Sequence, residues 1–413
     1  MKRSPYVTTT YVNLDAICDN YRHLRDILAA NGQQAGPVTT LPDRNGGERR
    51  FTWPVMLPVI KSDAYGHGHI RVAQALMDRE GADIFALGHV QEAADLRQGI
   101  AEATERSGRT PPLLLSLLGL TGPEDVELCE EFGIIPMIHT PEQLPLLENL
   151  KRPLPVAIKC NTGMARLGFG PKDMDRLVER LKALPKVVPV LAVSHLASAD
   201  TDNGAATIRA QAELFAGMLA SLRRAWPNIA VSLCNSAGLL QVRIATEVIG
   251  QHTCRAGLSL YGGNPMHGTG LAGLGKGLTP AMSVCATVIA ERELQPGEGT
   301  GYGHAYVAME PMRIGIIAAG YSNYVPRSLS NRGCFCAGGA RVRVLGRVSM
   351  EMTAIDLSDV PEIGVGDRVW LLGGPYETAV TAEELADTWG TISYEVFCLM
   401  GGNARVYEYS GDL

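Results

Sequence analysis

The stretch "PVMLPVIKSDAYGHG" (Pro54–Gly68) places Lys61 at the end of a short apolar run and follows it with a glycine-containing turn. Seven similar runs, rich in β-branched residues, follow as far as residue 261, and longer amphipathic segments separate them. Because parallel neighbours cannot be joined by a tight turn, this alternation predicts parallel strands connected by helices. Eight such units predict a closed (β/α)8 barrel. The runs are PVMLPVI, DIFALGHV, PLLLSLL, IIPMIH, LPVAIK, VVPVLAVSHL, IAVSLCN and TCRAGLSLY.

The last third of the chain has a different pattern, because short alternating runs replace the helical periodicity after about Pro265. Runs such as "RIGIIAAGY" and "DRVWLLG" predict a mainly β domain with one helix near "TAEELADTW". We therefore expect a barrel domain over residues 1–264 and a β-rich domain over 265–413, which roughly the first 12 residues of the chain join. The polar segment Asn31–Arg50 is rich in Gly and Pro, and we expect an exposed loop there rather than core.

Composition restricts the partners. The chain has 413 residues, of which 46% are hydrophobic, and a formal net charge of −6. Neither sign of charge forms long blocks, so nucleic acid is not expected as a partner. No apolar span reaches the ~18 residues of a membrane helix and no signal-peptide segment is present, so we expect no membrane partner and a cytoplasmic location. The nine cysteines lack the CxxC spacing of a zinc site, so we expect buried thiols and no metal.

Polar side chains stand at the ends of several predicted strands, where the loops of a barrel converge on one face. These residues are Lys61, Arg166, His195, Asn235, Ser236 and Arg255. Lys61 has three interpretations: an ordinary surface lysine, a partner of a buried carboxylate such as Asp63, or a Schiff base to a carbonyl cofactor. The residue types alone leave these interpretations open.

The motif "KSDAYGHG" resembles the lysine motif of the fold-type III pyridoxal phosphate (PLP) enzymes, specifically of the alanine racemases. Other motifs similar to that family occur in the same order along almost the whole chain. They are YVNLDAICDNYRHLR, IKCNTGMARLGFG, SHLASAD, CNSAG, CRAGLSLYGGNP, GEGTGYGHAY, AAGYSNYVPR, LGRVSMEMTAIDL and ISYEVFCLM.

The resemblance implies a PLP-dependent racemase that works as a head-to-tail homodimer with shared active sites. It interconverts L- and D-alanine, which in a bacterium feeds peptidoglycan precursors. Racemisation needs an electron sink and two bases on opposite faces of the substrate. By position, Lys61 is one base and Tyr302, from the partner subunit, is the other. His195 stands behind that tyrosine, and Arg166 holds the substrate carboxylate and the phenolic oxygen of the cofactor.

The resemblance also assigns the cofactor site. Arg255 faces the pyridine nitrogen, and because a guanidinium does not release its proton, that nitrogen stays unprotonated. The phosphate is bound by hydroxyls and backbone N–H groups near a helix start. The residues matched to PLP binding are Lys61, Tyr65, Asn235, Ser236, Arg255, Gly257, Leu258 and Tyr394. Met350 and Tyr321 match substrate-side residues, and Lys159 matches a lysine that is often carbamylated in the family.

Taken singly, several of these residues have structural interpretations: Tyr302 and His195 as core residues, and Ser236 as a helix N-cap.

The chain also departs from the common family pattern. Asn323 and Glu351 stand near the entrance to the site, and both differ from the usual residue. Ser232 replaces a histidine that supports the pyridine-facing arginine, so we expect Arg255 to be oriented by another group.

Three alternative functions remain. The first is a racemase for serine or a wider set of small amino acids, because an apolar pocket discriminates weakly against an added hydroxyl. The second is a fold-type III decarboxylase, which "RAGLSLYG" and "GYGHAY" disfavour. The third is a non-catalytic PLP-binding protein, which the second domain disfavours.

Overall fold

The computed structural model describes residues 8–42 and 47–408. The strands in these ranges, numbered in chain order, are β1 (Thr9–Asn13), β2 (Val38–Pro42), β3 (Glu48–Thr52), β4 (Met56–Pro58), β5 (Ile84–His89), β6 (Leu113–Gly119), β7 (Ile134–Ile138), β8 (Leu154–Lys159), β9 (Val187–Val193), β10 (Ala230–Ser232), β11 (Cys254–Ala256), β12 (Met282–Leu294), β13 (Gly299–Thr300), β14 (Tyr306–Val307), β15 (Met312–Ile317), β16 (Cys334–Ala337), β17 (Ala340–Leu345), β18 (Thr353–Asp356), β19 (Arg368–Leu372) and β20 (Ala404–Glu408).

The helices are numbered in the same way. They are α1 (Leu14–Ala30), α2 (Lys61–Tyr65), α3 (His69–Glu80), α4 (Val90–Gly99), α5 (Ala101–Ser107), α6 (Pro123–Phe132), α7 (Met174–Lys182), α8 (Gly204–Ala225), α9 (Ser236–Leu240), α10 (Val242–Ile249), α11 (Ala382–Trp389) and α12 (Ser393–Met400). No helix of the described ranges has both the length and the apolar character to cross a membrane.

Strands β4 to β11 form the expected barrel. Six of them lie in the order β10-β9-β8-β7-β6-β5, and β11 pairs in parallel with β4. The contacts that close the ring include a parallel bridge between Val59 and Ala86, and a 2.8 Å hydrogen bond from the Arg255 backbone N–H to the Cys234 carbonyl. Each of the eight apolar runs contributes one strand, and the predicted fold class is confirmed.

The C-terminal part forms an eight-stranded sheet in the order β15-β18-β17-β16-β19-β12-β1-β20. Strand β1 enters this sheet between β12 and β20, antiparallel to the first and parallel to the second. The predicted helix is α11, whereas α12 was not predicted. Helix α12 packs against α2, and a Cβ on Gly66 would lie 2.4 Å from the Phe397 carbonyl oxygen of α12.

The expectation for residues 31–50 is half right: the described part of that segment is largely exposed, but residues 38–42 and 48–50 form strands rather than a loop. Strands β2 and β3 form an antiparallel hairpin in which Leu41 and Phe51 are buried. Phe51 packs edge-to-face on the buried Trp53, with ring centroids 5.4 Å apart. The Thr39 hydroxyl donates to the Asn228 carbonyl before β10. The hairpin therefore packs at the N-terminal ends of the barrel strands, with Leu41 buried within the polar segment and Phe51 buried directly after it.

Candidate active site

Lys61 stands at the start of an unusual turn. Residues Ser62 to Tyr65 all have positive φ, between 53° and 56°, so α2 is a left-handed turn although it contains no glycine. The left-handed conformation costs roughly 1–2 kcal/mol per residue, and it persists only where surrounding contacts fix it. Here the Ala64 N–H donates to the Ile60 carbonyl at 2.9 Å and the Gly68 N–H donates to the Asp63 carbonyl at 2.8 Å.

Asp63 does not pair with Lys61. Its carboxylate accepts from the His69 ring at 2.6 Å and from the His69 backbone N–H at 2.8 Å, and it also forms an ion pair with Arg405. These hydrogen bonds and the Arg405 charge hold the pKa of the Asp63 carboxyl well below its usual range, against the opposing effect of burial. The carboxylate thus fixes the turn to β20 of the C-terminal sheet and leaves the Lys61 amine unpaired by Asp63.

Four cationic groups act on one another at the mouth of the barrel. Burial and then the charge of Arg166 lower the pKa of the Lys61 amine. Burial and then Arg255 lower the pKa of the Lys159 amine to about 7. Glu92 is the carboxylate that favours the charged form of Lys61, but its oxygens already accept the backbone N–H groups of Gly88 and Asp63 at 2.7 and 3.0 Å. The mouth is therefore suited to an anionic ligand.

Arg255 is buried and fixed by neutral acceptors. Its Nη1 donates to the Ser232 hydroxyl at 2.6 Å, and its Nη2 donates to the Ser194 carbonyl at 2.7 Å and to His195 Nδ1 at 2.9 Å. Burial and then Arg255 lower the pKa of His195 to about 2, so this imidazole is neutral and can accept through Nδ1. Other groups do orient Arg255, as the sequence predicts, namely the Ser194 carbonyl and His195, but the Ser232 hydroxyl also reaches the guanidinium, which the sequence does not predict.

A small polar cradle lies beyond the ends of β10 and β11. The Ser236 hydroxyl accepts from the backbone N–H groups of Gly257 and Ser259 at 3.0 and 3.3 Å. The Ser259 hydroxyl is buried and has no hydrogen-bond partner. A Cβ on Gly257 would lie 2.4 Å from the Tyr65 hydroxyl, so only glycine leaves this space open. An orphaned hydroxyl, backbone N–H donors and a glycine at the point of close approach together fit a phosphate group.

The other residues of this cradle have defined positions. Leu258 begins the 3₁₀ turn Leu258–Tyr261, which follows Gly257. The Asn235 side chain caps α9 by accepting from the Gly238 N–H at 3.0 Å. The Tyr394 ring, on α12, lies 6.0 Å from the Tyr65 ring. Both phenols therefore approach the cradle from the side of the lysine turn.

Three of the predicted site residues lie on the C-terminal domain and are exposed. Tyr302 is 69% exposed, Met350 is 58% exposed and Tyr321 is 43% exposed. The last two are close in space, because the Tyr321 N–H donates to the Ser349 carbonyl at 3.0 Å and the Ser322 hydroxyl donates to the Met350 carbonyl at 2.7 Å. Arg166 is also exposed, in the loop after β8.

Sequence reasoning missed several groups around the lysine turn. Besides Glu92 and Arg405, these include His67, which is buried and stacks on Tyr261 with centroids 4.5 Å apart. Burial lowers the pKa of His67 to about 4, so it is a neutral core residue. The "YGHG" motif contains this histidine, but nothing in the local sequence indicates that Glu92 or Arg405 would reach the same turn.

A (β/α)8 barrel with a lysine at one strand end, a buried arginine at another, and a nearby turn of backbone donors and hydroxyls is typical of the barrel class of PLP-dependent enzymes. Two family models match this chain: the alanine racemase N-terminal domain over residues 49–265 and the alanine racemase C-terminal domain over 281–407. The chain belongs to the alanine racemase family. The predicted family, enzyme class and cofactor are thereby confirmed.

Individual relatives agree with this assignment. The chain is 48% identical over 357 residues to an alanine racemase of Nitratidesulfovibrio vulgaris (strain DP4), covering 86% of this chain and 91% of the relative. An alanine racemase of Lawsonia intracellularis is 39% identical, with 86% and 91% coverage. The crystal structure of the biosynthetic alanine racemase from Pseudomonas aeruginosa superposes with a TM-score of 0.79 at 32% identity, covering 98% of this chain and 100% of that one. The similar fold of a Bartonella henselae alanine racemase was solved with covalently bound pyridoxal phosphate.

Proposed function

We propose that this protein interconverts L- and D-alanine by a two-base mechanism, with PLP held at the mouth of the barrel and both subunits of a homodimer contributing to each site. The single observation that carries the proposal is the half-buried Lys61, whose pKa is lowered by burial and by Arg166, at the end of a barrel strand. A lysine amine that is partly neutral can act both as a nucleophile toward a carbonyl and as a base.

The residues present fit PLP. Its phosphate would be held by Ser236, by the backbone at Gly257 and Leu258, and by the phenols of Tyr65 and Tyr394, with Asn235 fixing the α9 start. Its pyridine nitrogen would face Arg255, whose buried guanidinium is oriented by Ser232 and His195. When bound, the cofactor supplies the electron sink that makes removal of a Cα proton feasible.

Lys61 would carry the cofactor covalently and then move a proton at its Nζ on one face of the substrate. The lowered pKa favours the neutral amine that accepts this proton. Arg166 would bind the substrate carboxylate, since its guanidinium is exposed and its charge acts on the Lys61 amine. Lys159, with a pKa of about 7, has a neutral fraction near neutral pH that can form a carbamate with CO₂, releasing a proton and placing a negative charge among these cations.

The second base is assigned to Tyr302 of the partner subunit. Within one chain this phenol and Met350 are more than half exposed, and Tyr321 is 43% exposed; we assign Met350 and Tyr321 to the substrate side. Val307, Met309 and Met352 are exposed apolar side chains in the same part of the chain. Their exposure supports a protein–protein contact of the C-terminal domain. We propose that it covers the barrel mouth of the partner, where the neutral His195 can hydrogen-bond to the tyrosine.

Two further expectations stay proposals. We propose the division into residues 1–264 and 265–413, with the first residues joining the second part. The pairing of β1 with β12 and β20 supports this division for the described residues. The cytoplasmic location expected from the sequence stays a prediction.

A mixing experiment tests the shared site. Lys61→Ala and Tyr302→Phe variants are each purified, then mixed after dissociation and refolding. One site of each mixed dimer combines both changes, but the other is intact, so D-alanine formation should rise well above that of either variant. Activity that stays at the level of the separate variants would overturn the shared site. Parallel assays with L-serine distinguish alanine specificity from the wider racemase alternative.

A further inference from the structure

Three side chains with metal-ligating atoms meet beneath the arginine of the active site. The donor atoms of Cys234, His252 and Cys254 all lie within 4.8 Å of one another. The cysteines are fully buried, and His252 is 3% exposed. Cys234 follows β10, His252 precedes β11, and Cys254 is the first residue of β11. Neither cysteine forms a disulfide. Nothing in the proposed racemisation uses this cluster.

The histidine is oriented as a ligand. Its Nδ1 lies 3.0 Å from the Gly250 carbonyl oxygen, and this carbonyl can only accept, so Nδ1 carries the proton. The other nitrogen, Nε2, is therefore directed at the Cys234 sulfur, 3.3 Å away. Metal-binding histidines characteristically donate their second N–H to a carbonyl or carboxylate in this way. The His252 backbone is anchored as well, because its N–H donates to the Gln33 side chain at 3.3 Å.

We propose that Cys234, His252 and Cys254 bind one thiolate-preferring metal ion, Zn²⁺ or Cu⁺, at the base of the cofactor site. Thiolate and imidazole ligands select these ions over Mg²⁺ or Ca²⁺, which prefer oxygen. Bonds of about 2.3 Å to sulfur and about 2.0 Å to nitrogen place the donor atoms of one ion within roughly 4.6 Å of one another. The three donor atoms here all lie within 4.8 Å of one another, so small side-chain movements suffice to bind an ion. Binding replaces the two thiol protons by the metal ion, and the protons leave to solvent.

The position of the site gives it a role. Cys254 directly precedes Arg255, and the Cys234 carbonyl accepts from the Arg255 N–H at 2.8 Å. Cys234 also directly precedes Asn235 and Ser236, the start of the phosphate cradle. One ion would link β11 to the end of β10 at the point where both enter the cofactor site. It would act as a positioning element for Arg255 and for the cradle, without touching the substrate.

Charge distinguishes the two ions. The hydrogen-bond acceptors of the buried Arg255 side chain are all neutral. Two thiolates with Cu⁺ leave one net negative charge beside this guanidinium, whereas two thiolates with Zn²⁺ leave none. The described residues provide three ligands, which suits Cu⁺, while Zn²⁺ is usually bound by four. Both ions, Zn²⁺ and Cu⁺, therefore need to be tested separately.

The test uses the full-length holoenzyme, purified anaerobically with a thiol reductant and no chelator. One arm receives Zn²⁺ and the other receives Cu⁺ as its acetonitrile complex, and each is dialysed before metal and protein are quantified. We expect one ion per chain to be retained in at least one arm. X-ray absorption should give two sulfur ligands at about 2.3 Å and one nitrogen at about 2.0 Å.

Matched variants locate the ion. Cys234→Ser and Cys254→Ser should each weaken retention by about 100-fold or more, whereas Cys129→Ser, a buried cysteine on α6, should leave it unchanged. If the cluster variants fail to fold, the ligand set from X-ray absorption of the wild-type protein decides. Retention of neither ion, equal retention by all variants, or a chain mass lacking two hydrogens from a Cys234–Cys254 disulfide would each overturn the proposal.

Discussion

The proposed site has two halves, one at the barrel mouth and one on the exposed face of the C-terminal domain. They differ in how far a single chain fixes their side chains. At the mouth, Arg255 and the lysine turn are fixed by hydrogen bonds within one chain. On the other face, Tyr302 and Met350 are more than half exposed. The side chains of the first half are fixed within one chain, whereas those of the second half are exposed to solvent in one chain. Under the proposed assignments, a single chain would hold the cofactor, whereas the second base would depend on association.

The largest expected effect comes from the mouth. Lys61→Ala should abolish the visible absorbance of the covalently bound cofactor and lower the racemisation rate by about 10⁴-fold, because both the attachment and one base are lost. Absorbance spectroscopy and chiral analysis of alanine measure these effects. Lys172→Ala, an exposed lysine before α7, is the control and should resemble wild type. Retention of the bound-cofactor spectrum would remove Lys61 from its assigned role.

Tyr302→Phe should separate the two halves. The variant should keep the cofactor absorbance, because the mouth is intact, but lose about 10³-fold in kcat through loss of a general acid and base. Proton exchange at Cα in D₂O should still occur on the Lys61 face. Tyr376→Phe, another exposed tyrosine of the same domain, serves as control. A variant with wild-type kcat would contradict the assignment of the second base.

Ser232→Ala tests how the mouth fixes its arginine. The change removes the acceptor of the 2.6 Å hydrogen bond from Arg255 Nη1 and leaves a buried N–H unpaired, at a cost of about 1–3 kcal/mol. We expect a similar loss of stability in thermal or urea unfolding and a roughly tenfold lower kcat. The matched control is Ser221→Ala, on the outer helix α8, whose hydroxyl bonds Asp175. If Ser232→Ala had the kcat and stability of the wild-type protein, the remaining acceptors of Arg255 would be sufficient to fix its guanidinium.

The smallest expected effect concerns Lys159. Because its pKa is lowered to about 7, the amine is protonated below that pH and becomes a nucleophile as the pH rises through it. In cofactor-free protein supplied with ¹³C-labelled bicarbonate, a carbamate signal in NMR should grow several-fold over about one pH unit on either side of 7. The signal should be missing in Lys159→Met. A signal that is constant across this range would contradict the lowered pKa.

Local pattern predicted much of the barrel, because parallel strands buried on both faces are nearly continuous apolar runs. The resemblance to the alanine racemases supplied the site residues. Prediction missed the hairpin of β2 and β3, because its strands lie in a largely exposed polar segment in which Leu41 is a buried apolar residue. It also failed for α12, a short apolar helix whose pattern resembles a strand.

The sequence by itself determined the class of fold, the family and the position of Lys61, since these depend on periodicity and on motifs that are contiguous in the chain. Only the tertiary structure decided which groups act on one another. Asp63 pairs with Arg405, 342 positions away, and Arg255 reaches Ser232 and Ser194. It also brought Cys234 beside His252 and Cys254. The physical reason is that neighbouring barrel strands are separated by whole helices along the chain, so side chains in contact across them leave no local spacing to read.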